Sequence, residues 1–207
     1  MNLPILYEDD DIIAVDKPSG VLTTELYFGV GYVHRLDRDT SGVLVFAKNK
    51  TTYDFLRKAF HDREVKKTYL AFVHGVPKNK KGVIDFDIGR SRKDFRMRSA
   101  QPKAKGRLRD AVTRYEVIGE IPDYSLLKVQ PETGRTHQIR VHLKAINHPI
   151  ICDKLYASRR ESALGITRLG LHAYKIDLPL PSGNRVSITA PIPHDLVPAF
   201  ALFPDAC

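Results

Sequence analysis

This 207-residue sequence predicts an α+β fold, a mixed, mainly antiparallel β-sheet with flanking helices and loops. Three observations carry that expectation. Apolar runs of strand length recur between turns rich in Gly, Pro, Asn and Asp. Only two segments keep a helical apolar period. There is also no regular βαβ alternation, which a parallel, doubly wound sheet requires, and no internal repeat.

Taken in order, ILYE (5–8) and IIAV (12–15) flank an acidic turn at 9–11 and read as a hairpin leading into the turn KPSG (17–20). VLVFA (43–47) is a buried strand. A helix follows over residues 51–60, with Asn49 as its cap and Tyr53, Leu56 and Phe60 spaced to face a core. TYLAFV (68–73) and GVIDFDI (82–88) are the next strands. Residues 89–109 show no usable apolar pattern and read as a long irregular excursion, a feature often tied to function. AVTRYEVI (111–118) and YSLLKVQ (124–130) are neighbouring strands across GEIPD. A second helix is predicted over 136–146, striped by Ile139, Leu143 and Ile146 and stopped at Asn147-His148-Pro149. LHAYKIDL (171–178) and VSITA (186–190) flank a turn containing Pro181, Gly183 and Asn184. No linker-like segment divides the chain, so residues 1–207 are expected to form one domain.

The totals exclude several classes. An apolar fraction of 43% and a charged fraction of 28% are those of a globular chain. No stretch reaches membrane-spanning length, and MNLPILYEDDD has no basic-then-apolar signal region, so a cytoplasmic protein is expected. The two cysteines, Cys152 and Cys207, cannot build a disulfide framework or a cysteine-rich metal site.

Charge is the strongest compositional signal. Lys and Arg number 33 against 24 Asp and Glu, a formal charge of +9. The stretch 90–109 concentrates the excess in Arg90, Arg92, Lys93, Arg96, Arg98, Lys103, Lys105, Arg107 and Arg109, against the single acid Asp94. Such a stripe suits a polyanion, with nucleic acid the best fit. The plain alternative is a solvated loop that only aids solubility. An anionic membrane fits worse, because the stripe lacks a large apolar face.

Three places could hold chemistry. In HRLDRDTSG (34–42), Asp37 lies between Arg35 and Arg38, and cationic neighbours favour the ionised form of a carboxylate. A loop salt bridge is the plain reading; a working carboxylate, set on a loop before a buried strand, is the other. In GRTHQIRVH (134–142), Arg140 lies near the polar edge of the second helix, where a rigid bidentate guanidinium could reach a carboxylate on a neighbouring loop. Arg135, His137 and Gln138 mark the helix start, a position that also favours phosphate. His137 and His142 are spaced wrongly for a helical zinc pair and read as polar binding or hydrogen-bonding residues. In KKTYLAF, Tyr69 is either half-buried core or a flat ring for a nucleobase.

These segments, in this order, resemble one family. YEDDDIIAVDKPSG, VHRLDRDTSGVLVFAK, FHDREVKKTYLAFVHG, AVTRYEV, LLKVQPETGRTHQIRVHLKAINHPIICDKLY, RLGLHAYKIDLPLP and APIPHDL are similar to the RluA-type RNA pseudouridine synthases over nearly the whole chain. HRLD alone is common; HRLD followed by KKTY and GRTHQIRVH at these separations is specific. The resemblance implies that Asp37 is the catalytic carboxylate, that Tyr69 packs against the target base and that Arg140 pairs with Asp37. It further implies that Arg35 helps take the uridine out of its stack. Two departures stand out. The chain has no room ahead of Tyr7 for the S4-type RNA-binding domain of larger members, and 21–33 is shorter than usual and reads TTEL where many relatives have His-Pro.

The implied reaction isomerises uridine to pseudouridine in a structured ribosomal or transfer RNA. The C1′–N1 bond breaks, the base turns and C5 joins C1′. Atoms are conserved, so no cofactor and no metal are expected, in keeping with the lack of a GxGxxG or Walker-type loop. Arg35, Arg38, the nine basic residues of 90–109, Arg135, His137 and Gln138 form the expected RNA contacts. No membrane or obligate protein partner is implied, and a monomer is expected. Two rivals remain open at this level: a non-catalytic RNA-binding protein on the same scaffold, and a metal-dependent phosphodiesterase using Asp9, Asp10, Asp11, Asp37 and Asp39.

Overall fold

The computed structural model describes residues 3–92, 94, 96–100, 104–158, 160 and 162–204. In chain order the first elements are β1 (Ile5–Glu8), β2 (Ile12–Lys17), a 3-10 turn (Thr23–Glu25), β3 (Gly31–Tyr32), β4 (Ser41–Ala47), α1 (Lys50–His61) and β5 (Lys66–His74). Then come β6 (Lys81–Asp85), β7 (Ile88–Ser91), β8 (Arg98–Ala100), β9 (Ala104–Arg109), β10 (Val112–Ile121) and β11 (Tyr124–Pro131). Last are α2 (Gln138–Ala145), β12 (Leu171–Pro179), β13 (Arg185–Thr189) and α3 (Val197–Phe200). The result is a mixed, mostly antiparallel α+β fold with few helices, as the strand pattern predicts. Among the described residues no helix is long and apolar enough to cross a membrane.

The chain divides into two compact units, the first comprising Met1–Thr68 with His172–Pro193 and the second Tyr69–Leu171 with His194–Cys207. In the first unit β2 pairs antiparallel with both β1 and β4, and β12 pairs antiparallel with β13. β12 joins β4 in parallel through His172↔Ser41 and Ala173↔Gly42. That junction explains the glycine that ends HRLDRDTSG. Gly42 has φ +112, and a Cβ there would lie 2.2 Å from the Ala173 carbonyl oxygen, so only glycine lets the two strands meet. β4 is buried along its whole length. α1 keeps its expected place: the Asn49 side chain accepts from the Thr52 N–H (2.8 Å), and Thr52, Leu56 and Ala59 form the buried face.

In the second unit β5, β11, β10 and β6 form an antiparallel series. α2 lies between two apolar clusters. Ile139 and Leu143 pack with Ala71, Val73, Leu127 and Val129 of β5 and β11, while Val141 packs with Ile88, Ala100 and Tyr156. The helix is shorter than predicted because His137 adopts a left-handed conformation (φ 57, ψ 21), so helical geometry starts at Gln138.

Two expectations need correction here. The run 82–88 is not one strand: β6 ends at Asp85 and β7 starts at Ile88, with the Phe86 carbonyl between them accepting from His142 Nε2 (2.9 Å). Nor is 89–109 irregular throughout. β7 pairs antiparallel with β8 and β9 in a separate three-stranded sheet. Its ladder hydrogen bonds are backbone to backbone, and charged, small and polar residues outnumber the large apolar ones Ile88 and Leu108, so hydropathy periodicity cannot reveal it.

Candidate active site

Asp37 is half-buried, on a loop held from both sides by the segment that precedes it in sequence. The Lys17 side chain is 0% exposed. Its ammonium donates to the carbonyls of Pro18 (2.8 Å), Val21 (2.9 Å) and Arg38 (3.0 Å). On the other flank, Thr23 Oγ1 donates to the Leu36 carbonyl (3.1 Å) and accepts from the Leu36 N–H (3.2 Å). Gly20 N–H donates to Arg38 O (2.9 Å), Arg38 Nε donates to Gly20 O (3.0 Å), and Thr40 N–H closes a turn on Asp37 O (3.1 Å). The residues before and after Asp37 are therefore tied to a second loop, and KPSG and TTEL are parts of the clamp. Arg35 and Arg38 are exposed on either side.

His34, the first residue of the motif, has a structural role. Its Nε2 accepts from the Val45 N–H of β4 (3.1 Å), and its ring stacks on Phe60 of α1 (5.1 Å, 22°). Burial, reinforced by the nearby Lys67 ammonium, lowers its pKa to about 3, so the imidazole is neutral with the proton on Nδ1. Burial likewise lowers Lys67 to about 8.

The second unit places Arg140 in a cradle. Its Nε and Nη2 donate to Asp153 Oδ2 and Oδ1, each at 2.8 Å, with Arg140 6% and Asp153 1% exposed. Asp153 Oδ1 also accepts from the N–H groups of Leu155 and Tyr156, each at 3.0 Å. The Arg140 guanidinium carbon lies 5.1 Å from the centroid of the Tyr156 ring. The Tyr156 hydroxyl accepts from the Arg98 N–H of β8 (2.8 Å) and lies 2.9 Å from His137 Nδ1. The basic sheet, the start of α2 and Arg140 thus converge on Tyr156. Reading the sequence did not single out Asp153 or Tyr156. The Asp-x-x-Tyr turn in DKLY is the signal that could have found the acid, since Asp caps its own following N–H groups.

Other expected residues take different places. Gln138, predicted to contact RNA, is 4% exposed: its amide donates to Val112 O and Thr113 Oγ1, and its carbonyl accepts from Thr133 Oγ1 and the Arg135 N–H. It docks α2 on β10 and is not a surface contact. Arg135 is anchored on Asp110 through Nη2 to Oδ1 (2.7 Å) and Nε to the carbonyl (2.9 Å). His142 is buried between Thr113 Oγ1 and Phe86 O, and burial lowers its pKa. Tyr69 is half-buried and packs against the same cluster as Ile139 and Leu143 of α2. Arg90, Arg92, Arg96, Arg107 and Arg109 are exposed, Arg96 forking onto Asp94, and Arg98 is half-buried. Lys93, Lys103 and Cys207 lie outside the described residues, as does the side chain of Lys105. Of the acids in the phosphodiesterase rival, Asp9 Oδ1 caps the N–H groups of Asp11 and Ile12, and Asp11 Oδ1 accepts from Thr52 Oγ1. Among the described residues no group of three His, Cys, Asp or Glu could hold a metal ion.

Comparison with known proteins defines the class. A family profile described as RNA pseudouridylate synthase matches residues 23–145. The Bacillus subtilis protein called uncharacterized RNA pseudouridine synthase YlyB is 35% identical over 95% of this chain and 71% of its own length. The ribosomal large subunit pseudouridine synthase D of Borreliella burgdorferi is 36% identical over 86% of this chain and 62% of its own. The structure of human RNA pseudouridylate synthase domain containing 1 superposes with a TM-score of 0.81 at 28% identity, covering 93% of this chain and 84% of that one. Fold and matches together define an RNA-modifying isomerase, one that converts uridine to pseudouridine. The chain belongs to the RNA pseudouridine synthase family, among its RluA-type members.

Proposed function

We propose that this chain isomerises a specific uridine in structured ribosomal or transfer RNA, in the cytoplasm, with Asp37 as the catalytic carboxylate acting on a base drawn out of its stack. The observation that carries the proposal is the clamp on Asp37. A half-buried carboxylate, flanked by two exposed arginines, has both neighbouring residues fixed by buried Lys17 and Thr23. A salt bridge that only tidied a surface loop would not need such preorganisation.

Removing a base from its stack costs a few kcal/mol, and Arg35 and Tyr69 are proposed to replace part of the lost stacking. Asp37 then attacks C1′ or draws a proton from the sugar, and either route needs the unprotonated carboxylate. Glycosidic C1′–N1 cleavage, rotation of the base, formation of C5–C1′ and release of the C5 proton complete the change, with N1 gaining a proton. Arg140 is proposed as the guanidinium partner of Asp37. Asp153 holds its Nε and Nη2 edge, which fixes the plane of the guanidinium. The exposed arginines of the three-stranded sheet are proposed to meet phosphates, which position the RNA without selecting the base. The names of the relatives support ribosomal RNA as one substrate.

The test is release of tritium from 5-tritiated uridine in ribosomal and transfer RNA. Asp37→Asn is expected to abolish release while RNA affinity stays within about twofold. Release by that variant at an appreciable rate would refute the assignment. Absence of release by the native chain would favour a binding protein.

A further inference from the structure

The loop that clamps Asp37 also carries the most exposed large apolar side chain among those described. Tyr27 is 89% exposed, in the segment TTELYFGVGY that departs from the usual family pattern. Solvent exposure of a tyrosine ring on a loose loop would be unremarkable. This loop is not loose.

Its residues are anchored on both sides of Tyr27. Thr23 bonds Leu36 on one side, and Leu26 is 7% exposed. On the other side the Phe28 ring packs on Phe46 of β4 at 5.1 Å, and the Val30 N–H donates to the Ala47 carbonyl (2.8 Å). Gly29 lies so close to β4 that a Cβ would come within 2.3 Å of the Ala47 carbonyl oxygen, and its φ of +57 suits glycine. Leu26 and Phe28 point inward, so the intervening residue is forced outward. Leu22 and Val30, 41% and 50% exposed, extend the apolar surface on the same loop.

We propose that Tyr27 is a preformed stacking platform for an unpaired nucleobase of the RNA, one that neighbours the uridine undergoing isomerisation. The proposal rests on the reading of Asp37 as the centre of reaction. Four residues span at most about 14 Å, so the Tyr27 Cα lies within that distance of Thr23, which is bonded to the residue next to Asp37. That is a reach of one to a few nucleotides. The surroundings suit nucleic acid: Arg35 and Arg38 are exposed on the clamped loop, and the chain carries +9. Glu25, the nearby acid, turns back toward the Leu22 N–H (3.4 Å). Every base offers a π-face, so a rigid tyrosine adds affinity and fixes the register of the strand entering the site, with the extruded uridine left to the catalytic residues.

The chain has no tryptophan, so Tyr27→Trp supplies a single indole reporter. In an Asp37→Asn background, its fluorescence should be quenched on titration with a uridine-containing RNA hairpin and unchanged with inorganic polyphosphate. In the otherwise native chain, Tyr27→Ala should lower kcat/KM for the same hairpin roughly tenfold, mostly through KM, and Tyr27→Phe should stay within about twofold. Equal response to RNA and polyphosphate would overturn the proposal, as would unaltered kcat/KM in Tyr27→Ala. Sedimentation tests the other occupant: a native dimer that Tyr27→Ala dissociates, with RNA affinity unchanged, would assign the ring to self-association and also overturn it. Turnover by Asp37→Asn alone would instead strike the catalytic reading, which keeps the two failures apart.

Discussion

Arg140 shows how much a buried pair can fix. Desolvating a guanidinium and a carboxylate is costly, and the bidentate bond to Asp153 offsets that cost only because the remaining acceptor capacity of Asp153 is also used. Removing Asp153 takes the bidentate acceptor from a buried guanidinium. Asp153→Ala is therefore expected to destabilise the fold by about 3–5 kcal/mol. Asp153→Asn keeps the shape and one acceptor, and is expected to unfold at milder cost. At a temperature where it remains folded, kcat should fall at least tenfold with KM little changed, because the role proposed for Arg140 depends on its orientation. Urea unfolding and single-turnover kinetics check the pair of variants; unaltered kcat in folded Asp153→Asn would show that the cradle does not orient Arg140. Lys17 belongs to the same category of residue. KPSG reads as a turn, and the turn is there, but its lysine works from inside by gathering three carbonyls.

At the scale of elements, the three-stranded sheet of β7, β8 and β9 converts a run of charges into a surface. Ile88 and Ala100 face inward against Val141 and Tyr156, while Arg90, Arg107 and Arg109 stay exposed. Alternation along such strands sets charge against small or polar residues, so the apolar signature of a strand is missing and the segment looks like a loop. For every phosphate that the sheet no longer neutralises, the slope of log affinity against log salt should fall by about one. Replacing Arg90, Arg107 and Arg109 by Gln together is expected to weaken RNA binding and flatten that slope by roughly two to three units. Binding measured across a series of salt concentrations decides it, and an unchanged slope would remove the sheet from the RNA-binding surface. α2 is the complementary case. Its stripe was legible, but its first turn was not, because His137 takes a left-handed conformation that hydropathy does not encode.

For the whole molecule, pH is the most direct probe of buried charge. His34 has a folded pKa near 3, well below its ordinary 6.5, so between those values the unfolded chain binds the extra proton. Stability from this group is complete above about pH 6.5 and is lost as pH falls toward 3. Burial lowers His142 as well, which works in the same direction. Urea unfolding between pH 7 and pH 4 should show a shallower acid loss for His34→Asn, which keeps an acceptor but does not titrate, than for the native chain. Equal slopes would mean that His34 is not held neutral.

The sequence by itself determined the family, the α+β class, most strands and the identity of the residues proposed to react. Those properties lie in local side-chain identity, in turn chemistry and in motif order, all of which are written along the chain. Tertiary structure alone decided that Arg140 is cradled by Asp153, thirteen positions away, that Lys17 and Gln138 are interior, and that 89–109 contains a sheet. The reason is physical. Burial, long-range pairing and backbone ladders depend on which distant segments meet, and a one-dimensional pattern of charge and hydropathy carries no record of that meeting.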